Sequence, residues 1–218
     1  MKMIEREKMN KNTLTSRDLQ AIERKNQLLM AAKKLFSTYG YHATSVRQIM
    51  SEVQMADGLI YHYFPKGKKQ ILDEICLGFV KERFLDLPED LNKINATMPM
   101  REILLAFGHL MFKYIGNDKD SLMIFFREQQ LLDESYLMML KKTIKNVLHY
   151  TVRLLRKKSL CHEIPKLNFY LMANQFWSPL YAYSVQNLLF SKKIFYDIEP
   201  KEYLEKIVSY TLATWQVK

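Results

Sequence analysis

Cysteine, glycine and proline are all scarce in this chain, and each scarcity excludes something. Two cysteines in 218 residues, Cys76 and Cys161, are too few for a disulfide framework or a zinc cluster, so two reduced thiols in a cytoplasmic protein are expected. Six glycines and six prolines, thinly spread, supply few turn signals and favour long helices over a many-turned β architecture. No apolar run approaches the roughly 20 residues that span a bilayer, so no membrane partner is expected. The opening MKMIEREKMNKN is too charged, and too poor in apolar residues, for a secretion signal. Enzyme signatures are missing as well: there is no GxSxG elbow, HExxH pair, phosphate-binding glycine loop or CxxC. Cys161-His162 is only a sequential pair, whereas a nucleophile and its base meet through the fold. The chain is expected to be no enzyme and to need no cofactor or metal.

What the chain does have is positive charge, unevenly placed. The net charge is +10, and residues 1–70 carry 13 Lys or Arg against 6 Asp or Glu, while the remainder carries 20 against 17. The surplus therefore sits mainly in the first third, where it attracts phosphate with a salt-dependent strength.

Periodicity predicts helices throughout. A first helix runs from about Ser16 to Tyr39, with Ile22, Leu28, Leu29, Ala32, Leu35, Phe36 and Tyr39 on one side and Gly40 as its stop signal. Thr44 or Ser45 can cap a short second helix, along which Val46, Ile49, Met50 and Val53 recur at i, i+3, i+4, i+7. A third begins near Ala56 and carries Ile60, Tyr61 and Phe64. Two short helices joined by a tight turn are the grammar of a helix-turn-helix, whose second helix enters a DNA major groove. Gln54 occupies the turn position where glycine would relieve a left-handed backbone. A connecting helix then runs from about Lys66 to Leu87; Pro88 ends it, and PEDLNKINATMP reads as a loop. Further helices are predicted at 100–116, 120–132, 134–158, about 165–189 with a kink at Pro179, and about 200–217. The fold class is all-α: a basic arm over 1–17, a helix-turn-helix DNA-binding domain over 18–70, and a helical domain over 71–218. Phe169, Met172, Phe176, Leu180 and Tyr183 mark one apolar face of the penultimate helix, and Leu171, Leu188 and Leu189 another. Tyr203, Leu204, Ile207, Val208, Leu212 and Trp215 do the same for the last. Such helices need two burial partners, either within their own core or in a second copy of the chain.

Lys33-Lys34-Leu35-Phe36, Tyr39-Gly40-Tyr41, Ala43-Thr44-Ser45-Val46-Arg47-Gln48-Ile49 and Gly58-Leu59-Ile60-Tyr61-His62-Tyr63-Phe64, followed by Lys68 and Ile71-Leu72, fall in an order that resembles the DNA-binding domain of the TetR (tetracycline-repressor-like) transcriptional regulators. The resemblance covers the first third of the chain. Two departures are Val53-Gln54-Met55 in place of an Ala-Gly-Val type turn, and a link Pro65-Lys66-Gly67-Lys68 one residue longer than the commonest form. The resemblance implies a repressor that binds a pseudo-palindromic operator in double-stranded DNA, dimerises through its last two helices, and is released by a small hydrophobic or amphipathic inducer.

On this reading Ala56, Asp57, Gly58 and Leu59 face base edges; Asp57 suits a cytosine amino group or caps its helix, and Leu59 suits a thymine methyl. Tyr61 and Tyr63 match family positions that donate to phosphate, and His62 does the same or lies at the surface. Thr44, Ser45 and Arg47 at one helix start, and Lys66, Lys68 and Lys69 beyond the motif, are the other expected phosphate contacts, with a solvated charge cluster as the alternative for the lysines. The arm, with Lys2, Arg6, Lys8, Lys11 and Arg17, either reaches a minor groove or is disordered. In the second domain the aromatic and Met-rich composition suits helical cores and, in aggregate, an adaptable apolar pocket. His109, Phe112, Phe126, Arg127, Glu128, Trp177 and Tyr181 are the expected ligand-binding residues; Glu128 would counter a cation, Arg127 or His109 would hold a carboxylate, and surface placement or an Arg–Glu ion pair is the alternative. Two different functions stay open: a ligand-independent adaptor acting through a protein partner, and a cationic helical protein that binds RNA or membranes nonspecifically.

Overall fold

Thr15 starts the first helix. Its hydroxyl accepts from the Asp18 N–H at 3.2 Å while the Asp18 carboxylate accepts from the Thr15 N–H at 2.9 Å, a reciprocal cap that satisfies two orphan donors. The Thr15 hydroxyl also donates to this carboxylate at 2.7 Å, and together with the Thr15 N–H it holds the Asp18 carboxyl below its ordinary range. Helix α1 spans Ser16–Tyr39 and stops at Gly40, whose φ of 90° suits glycine. The computed structural model describes residues 15–115, 118–189 and 198–217; the expected arm lies outside them except for its last three residues, of which Arg17 is exposed on α1.

The chain continues as α2 (Val46–Glu52), a 3₁₀ turn (Asp57–Leu59), α3 (Ile60–Tyr63), α4 (Lys68–Phe84), α5 (Leu87–Lys93), α6 (Met100–Ile115), α7 (Lys119–Glu128), a 3₁₀ turn (Gln129–Leu131), α8 (Glu134–Leu160), α9 (Phe169–Leu189) and α10 (Pro200–Thr214). The fold is all-α: no strand occurs among the described residues.

Two boundaries differ from expectation for identifiable reasons. Of the stretch expected to be a loop after Pro88, residues 88–93 belong to α5 and only 94–99 are non-helical, because the proline sits in the first turn of α5, where its missing N–H would have no intrahelical acceptor anyway. Helix α9 begins at Phe169 and not near Pro165: the Asn168 side-chain oxygen accepts from the N–H groups of Tyr170 and Leu171 at 3.1 and 3.2 Å.

The contacts divide the chain into two units. The first comprises residues up to Cys76 together with Ile124–Leu131; the second comprises Leu77–Met123 and Leu132 onward. In the first unit Leu28, Ala32, Phe36, Ile49, Met50, Ile60, Phe64, Ile71 and Leu72 have no exposed surface. Ile22 and Tyr39, expected on the same face, are instead 47% and 63% exposed. Cys76, also buried here, has its thiol pushed up to about 12, chiefly by desolvation.

The second unit packs Leu104, Phe107, Leu155, Phe176, Leu204, Val208 and Trp215 into one core. Its polar members are paired. The Trp215 indole donates to the Gln175 side-chain oxygen at 3.0 Å, and the Trp177 indole to the buried Thr151 hydroxyl at 3.1 Å. Lys158, 3% exposed, meets both Glu163 oxygens at 2.7 and 2.8 Å, the pairing that a buried ammonium requires. On α5, Asp90 gathers Lys93, Lys113 and the Tyr114 hydroxyl, bonds that hold its carboxyl far below the usual range.

Helices α6 and α10 approach closely at Gly108. A Cβ there would lie 2.1 Å from a Leu204 methyl and 3.0 Å from its Cγ, and Leu204 is itself 1% exposed. Gly108→Ala gains helix propensity worth about 1 kcal/mol but overpacks a filled site, which costs about 1–3 kcal/mol. A net loss in urea denaturation is expected, and Leu204→Ala in the same chain should lessen the penalty of the added methyl. Additive losses in the double variant would mean that the two residues do not compete for this space.

Candidate nucleic-acid interface

The approach to α2 is built from side chain to backbone bonds. Ser45 caps it: its hydroxyl accepts from the Gln48 N–H at 3.2 Å, and the Gln48 side-chain oxygen accepts from the Ser45 N–H at 2.7 Å. Thr44 is 1% exposed and donates its hydroxyl to the Gly40 carbonyl at 2.9 Å, so it serves the turn and does not present its hydroxyl to a phosphate. Arg47 is exposed on α2, and Ser45 is exposed at its start.

The turn after α2 is left-handed at Gln54, where φ is 55°. Met55 N–H returns to the Met50 carbonyl at 3.0 Å, a helix-ending bond that favours glycine at the preceding residue. Gln54 is exposed, so Gln54→Gly relieves Cβ strain without losing a buried contact. We expect a gain of about 1 kcal/mol in unfolding free energy. An unchanged or lower stability would show that the turn is not strained by its side chain.

The second motif helix is a 3₁₀ turn running into the four-residue α3. Ala56, Asp57, Gly58, Leu59, Tyr61 and His62 are exposed, Leu59 by 44% and Tyr61 by 60%, whereas Ile60 and Phe64 are fully buried. The helix is thus anchored by two apolar side chains and turns the remainder outward. A Cβ added to Gly58 would meet nothing within 4 Å, so the surface is open there. Asp57 lies in the first turn, and the residue before it, Ala56, supplies no side-chain cap. Tyr63 is half-buried, with the His62 ring edge-on at 5.1 Å.

The three lysines beyond the motif part company. Lys66 is exposed. Lys69 is ion-paired with Asp73 one turn along α4. Lys68 points inward: its ammonium donates to the carbonyls of Tyr41 and Thr44, both at 2.7 Å, and lies 4.2 Å from the centre of the Tyr41 ring. Burial lowers its pKa, opposed by the nearby Glu128 carboxylate. Lys68 is therefore spent on the backbone before α2, and the phosphate contact expected of it is not what its geometry offers. Spacing alone could not distinguish these three, because burial depends on where α4 lies against the Tyr41–Thr44 segment.

The seven residues expected to hold a ligand are divided between the two units. Phe126, Arg127 and Glu128 belong to the first unit. There Arg127 is exposed and donates to the Ser37 carbonyl at 3.3 Å, and Glu128, 6% exposed, accepts from the Tyr41 N–H at 2.9 Å. Phe126 is half-buried, edge-on to Phe125. In the second unit His109 and Tyr181 are exposed. Phe112 is half-buried with its ring 5.9 Å from that of Tyr183, and Trp177 is half-buried with its ring 5.4 Å from that of Phe107. A cleft of about 720 Å³ opens elsewhere in this unit, lined among others by Arg156, Leu160, His162, Ile164, Lys166 and Phe169. Composition signalled none of these cleft residues, since they are ordinary helix-end and loop types.

Residues 28–75 match the profile described as "Bacterial regulatory proteins, tetR family". The HTH-type transcriptional repressor KstR2 of Mycolicibacterium smegmatis is 31% identical over 88 residues, which cover 40% of this chain and 42% of that protein. The leading sequence matches span only about a quarter, a fifth and a third of the relatives' own length, 26%, 18% and 32%. Among solved structures, the ketosteroid transcriptional regulator KstR2 of Mycobacterium tuberculosis aligns with a TM-score of 0.64 at 19% identity, covering 89% of this chain and 95% of the other. AibR, solved in complex with isovaleryl coenzyme A and operator DNA, aligns with a TM-score of 0.62 at 16% identity over 86% and 97% of the two chains. Likeness at these identities establishes a shared fold. No helix among the described residues is long and apolar enough to cross a membrane.

Proposed function

We infer that this chain, a member of the tetR family by its DNA-binding unit, is a transcription regulator that binds a pseudo-palindromic duplex operator as a homodimer and represses until a small ligand releases it. The observation that carries this reading is the motif helix itself. Ile60 and Phe64 lock it to the core while Ala56, Asp57, Gly58, Leu59, Tyr61 and His62 stand outward beside exposed Ser45, Arg47 and Lys66. Short side chains at the helix start let its backbone approach base edges, and the exposed Tyr61 hydroxyl and flanking cations suit phosphate, while the Ser45 hydroxyl donates to Gln48 at 2.9 Å.

Exposed apolar side chains on the last helices support the homodimer: Leu171 is 66%, Tyr181 47% and Tyr210 64% exposed, the kind of surface that a second copy covers. The released state follows from linkage, since a ligand shifts the equilibrium only by its differential affinity for the two forms. AibR was solved with both an acyl-coenzyme A and operator DNA, which supports an amphipathic ligand for this chain as well.

Selection of genomic fragments by the purified protein, followed by titration across a salt series, tests the reading. A two-fold symmetric site bound well above bulk DNA is expected. Tyr61→Phe should weaken all sequences alike, as loss of a phosphate contact does. Failure to enrich any sequence, with binding abolished by modest salt, would favour a nonspecific cationic binder instead.

A further inference from the structure

The segment Gly40–Ser45 connects α1 to the motif, and its backbone sets where α2 begins. Within the segment the Thr44 hydroxyl holds the Gly40 carbonyl at 2.9 Å, but no bond within it takes the Tyr41 N–H, which goes to Glu128. Gly40 has a φ of 90°, Thr44 N–H reaches the Tyr41 carbonyl at 3.3 Å, and the following α2 has only seven residues. Two side chains from far along the chain grip it. Lys68 takes the carbonyls of Tyr41 and Thr44. Glu128, 87 residues beyond Tyr41, takes the Tyr41 N–H at 2.9 Å.

Glu128 is an unusual residue to find here. It is 6% exposed, and a buried carboxylate is costly unless its oxygens are used. The backbone N–H supplies a charge-assisted bond, and the Lys68 ammonium lies near enough for the carboxylate to favour its charged form. A Cβ at Gly40 would stand 3.6 Å from Glu128 Oε1, an ordinary contact, so the φ of 90° and not space is what suits glycine there. Arg127, the neighbouring residue, donates to the Ser37 carbonyl in the last turn of α1. The end of α7 thus holds both sides of the α1 stop.

We propose that Glu128 is a positioning residue for DNA recognition: as the acceptor of the Tyr41 N–H it fixes the start of the helix-turn-helix without itself touching DNA. This rests on the DNA-binding reading above. Without that acceptor the segment regains freedom, the motif samples orientations that do not fit the groove, and affinity falls by the fraction of time spent in them. The number of phosphates neutralised in the bound state does not change, so the salt slope stays the same.

The test uses the full chain and the DNA fragment enriched by the wild type, comparing Glu128→Ala and Glu128→Gln. The alanine variant is expected to bind at least about tenfold more weakly with the wild-type salt slope. The glutamine variant keeps a carbonyl acceptor and should stay within about threefold. Hydrogen exchange supplies a second readout: in Glu128→Ala the Tyr41 amide should lose protection while the amides of α1 and α4 keep theirs. Wild-type affinity in Glu128→Ala, an equal loss in both variants, or a protected Tyr41 amide would each overturn the proposal. Global loss of protection in Glu128→Ala with normal binding by Glu128→Gln would still support the acceptor role. If the wild type itself enriches no DNA, it is the DNA-binding reading that fails, and the Tyr41 amide alone then decides whether Glu128 holds this segment.

Discussion

Phe64→Ala is expected to cost about 3–5 kcal/mol, the range for removing a fully buried phenylalanine, and to dismantle the first unit before the second. Phe64 has no exposed surface and closes α3 by donating its N–H to the Ile60 carbonyl at 2.7 Å. Its carbonyl accepts from Gly67 at 2.7 Å at the start of the link to α4, and the Lys25 ammonium lies 5.1 Å from the centre of its ring. Helices of seven and four residues have no independent stability, because nucleation outweighs so few internal bonds. Their order comes from burial against α1 and α4, and Phe64 supplies a large share of it. Both tryptophans, Trp177 and Trp215, lie in the second unit, so fluorescence follows that unit and hydrogen exchange over residues 28–75 follows the first. Collapse of protection there, with the fluorescence transition retained, is the expected pattern. A loss below about 1 kcal/mol, roughly the worth of one buried methylene, would mean that the ring is not a keystone of this core.

Lys68→Ala separates two roles that the sequence could not. As a phosphate contact, Lys68 would be dispensable to folding, and its loss would reduce the salt slope of DNA binding by about 1. As a backbone clamp, it makes two hydrogen bonds from a charged donor, each bond of this kind contributing about 1.5–3 kcal/mol. Its removal leaves the Tyr41 and Thr44 carbonyls without that partner. We expect the second pattern: a destabilisation of about 2–4 kcal/mol in the first unit, weaker binding to every sequence, and an unchanged salt slope. Lys68→Arg should recover little, since a planar guanidinium cannot replace a compact ammonium between two carbonyls. A shallower salt slope with wild-type stability would return Lys68 to the DNA surface.

Helices and their limits were largely legible in the sequence because they depend on local chemistry. The span of α1 could be read from its apolar spacing and Gly40, and the left-handed turn at Gln54, φ 55°, from the motif position alone. Where reading failed locally, the cause was also local: Pro88 resembles a terminator but is equally at home in a first helical turn. The outward face of α3 followed from Ile60 and Phe64 being apolar at helical spacing.

The candidate site was only partly legible. Thr44, Lys68 and Glu128 are polar residues in polar-looking stretches, and nothing in their neighbours marks them as buried. Their burial arises where α4 and the end of α7 meet the chain between Gly40 and Ser45, contacts 24 to 87 residues apart in sequence. By itself the sequence determined an all-α chain with a tetR-type helix-turn-helix in a basic first third, because helix periodicity, caps and charge are written over a few residues. Only the tertiary structure decided which of its hydroxyls, cations and carboxylates face outward and which hold the backbone, because the energy of a polar group depends on the distant residues that exclude water from it.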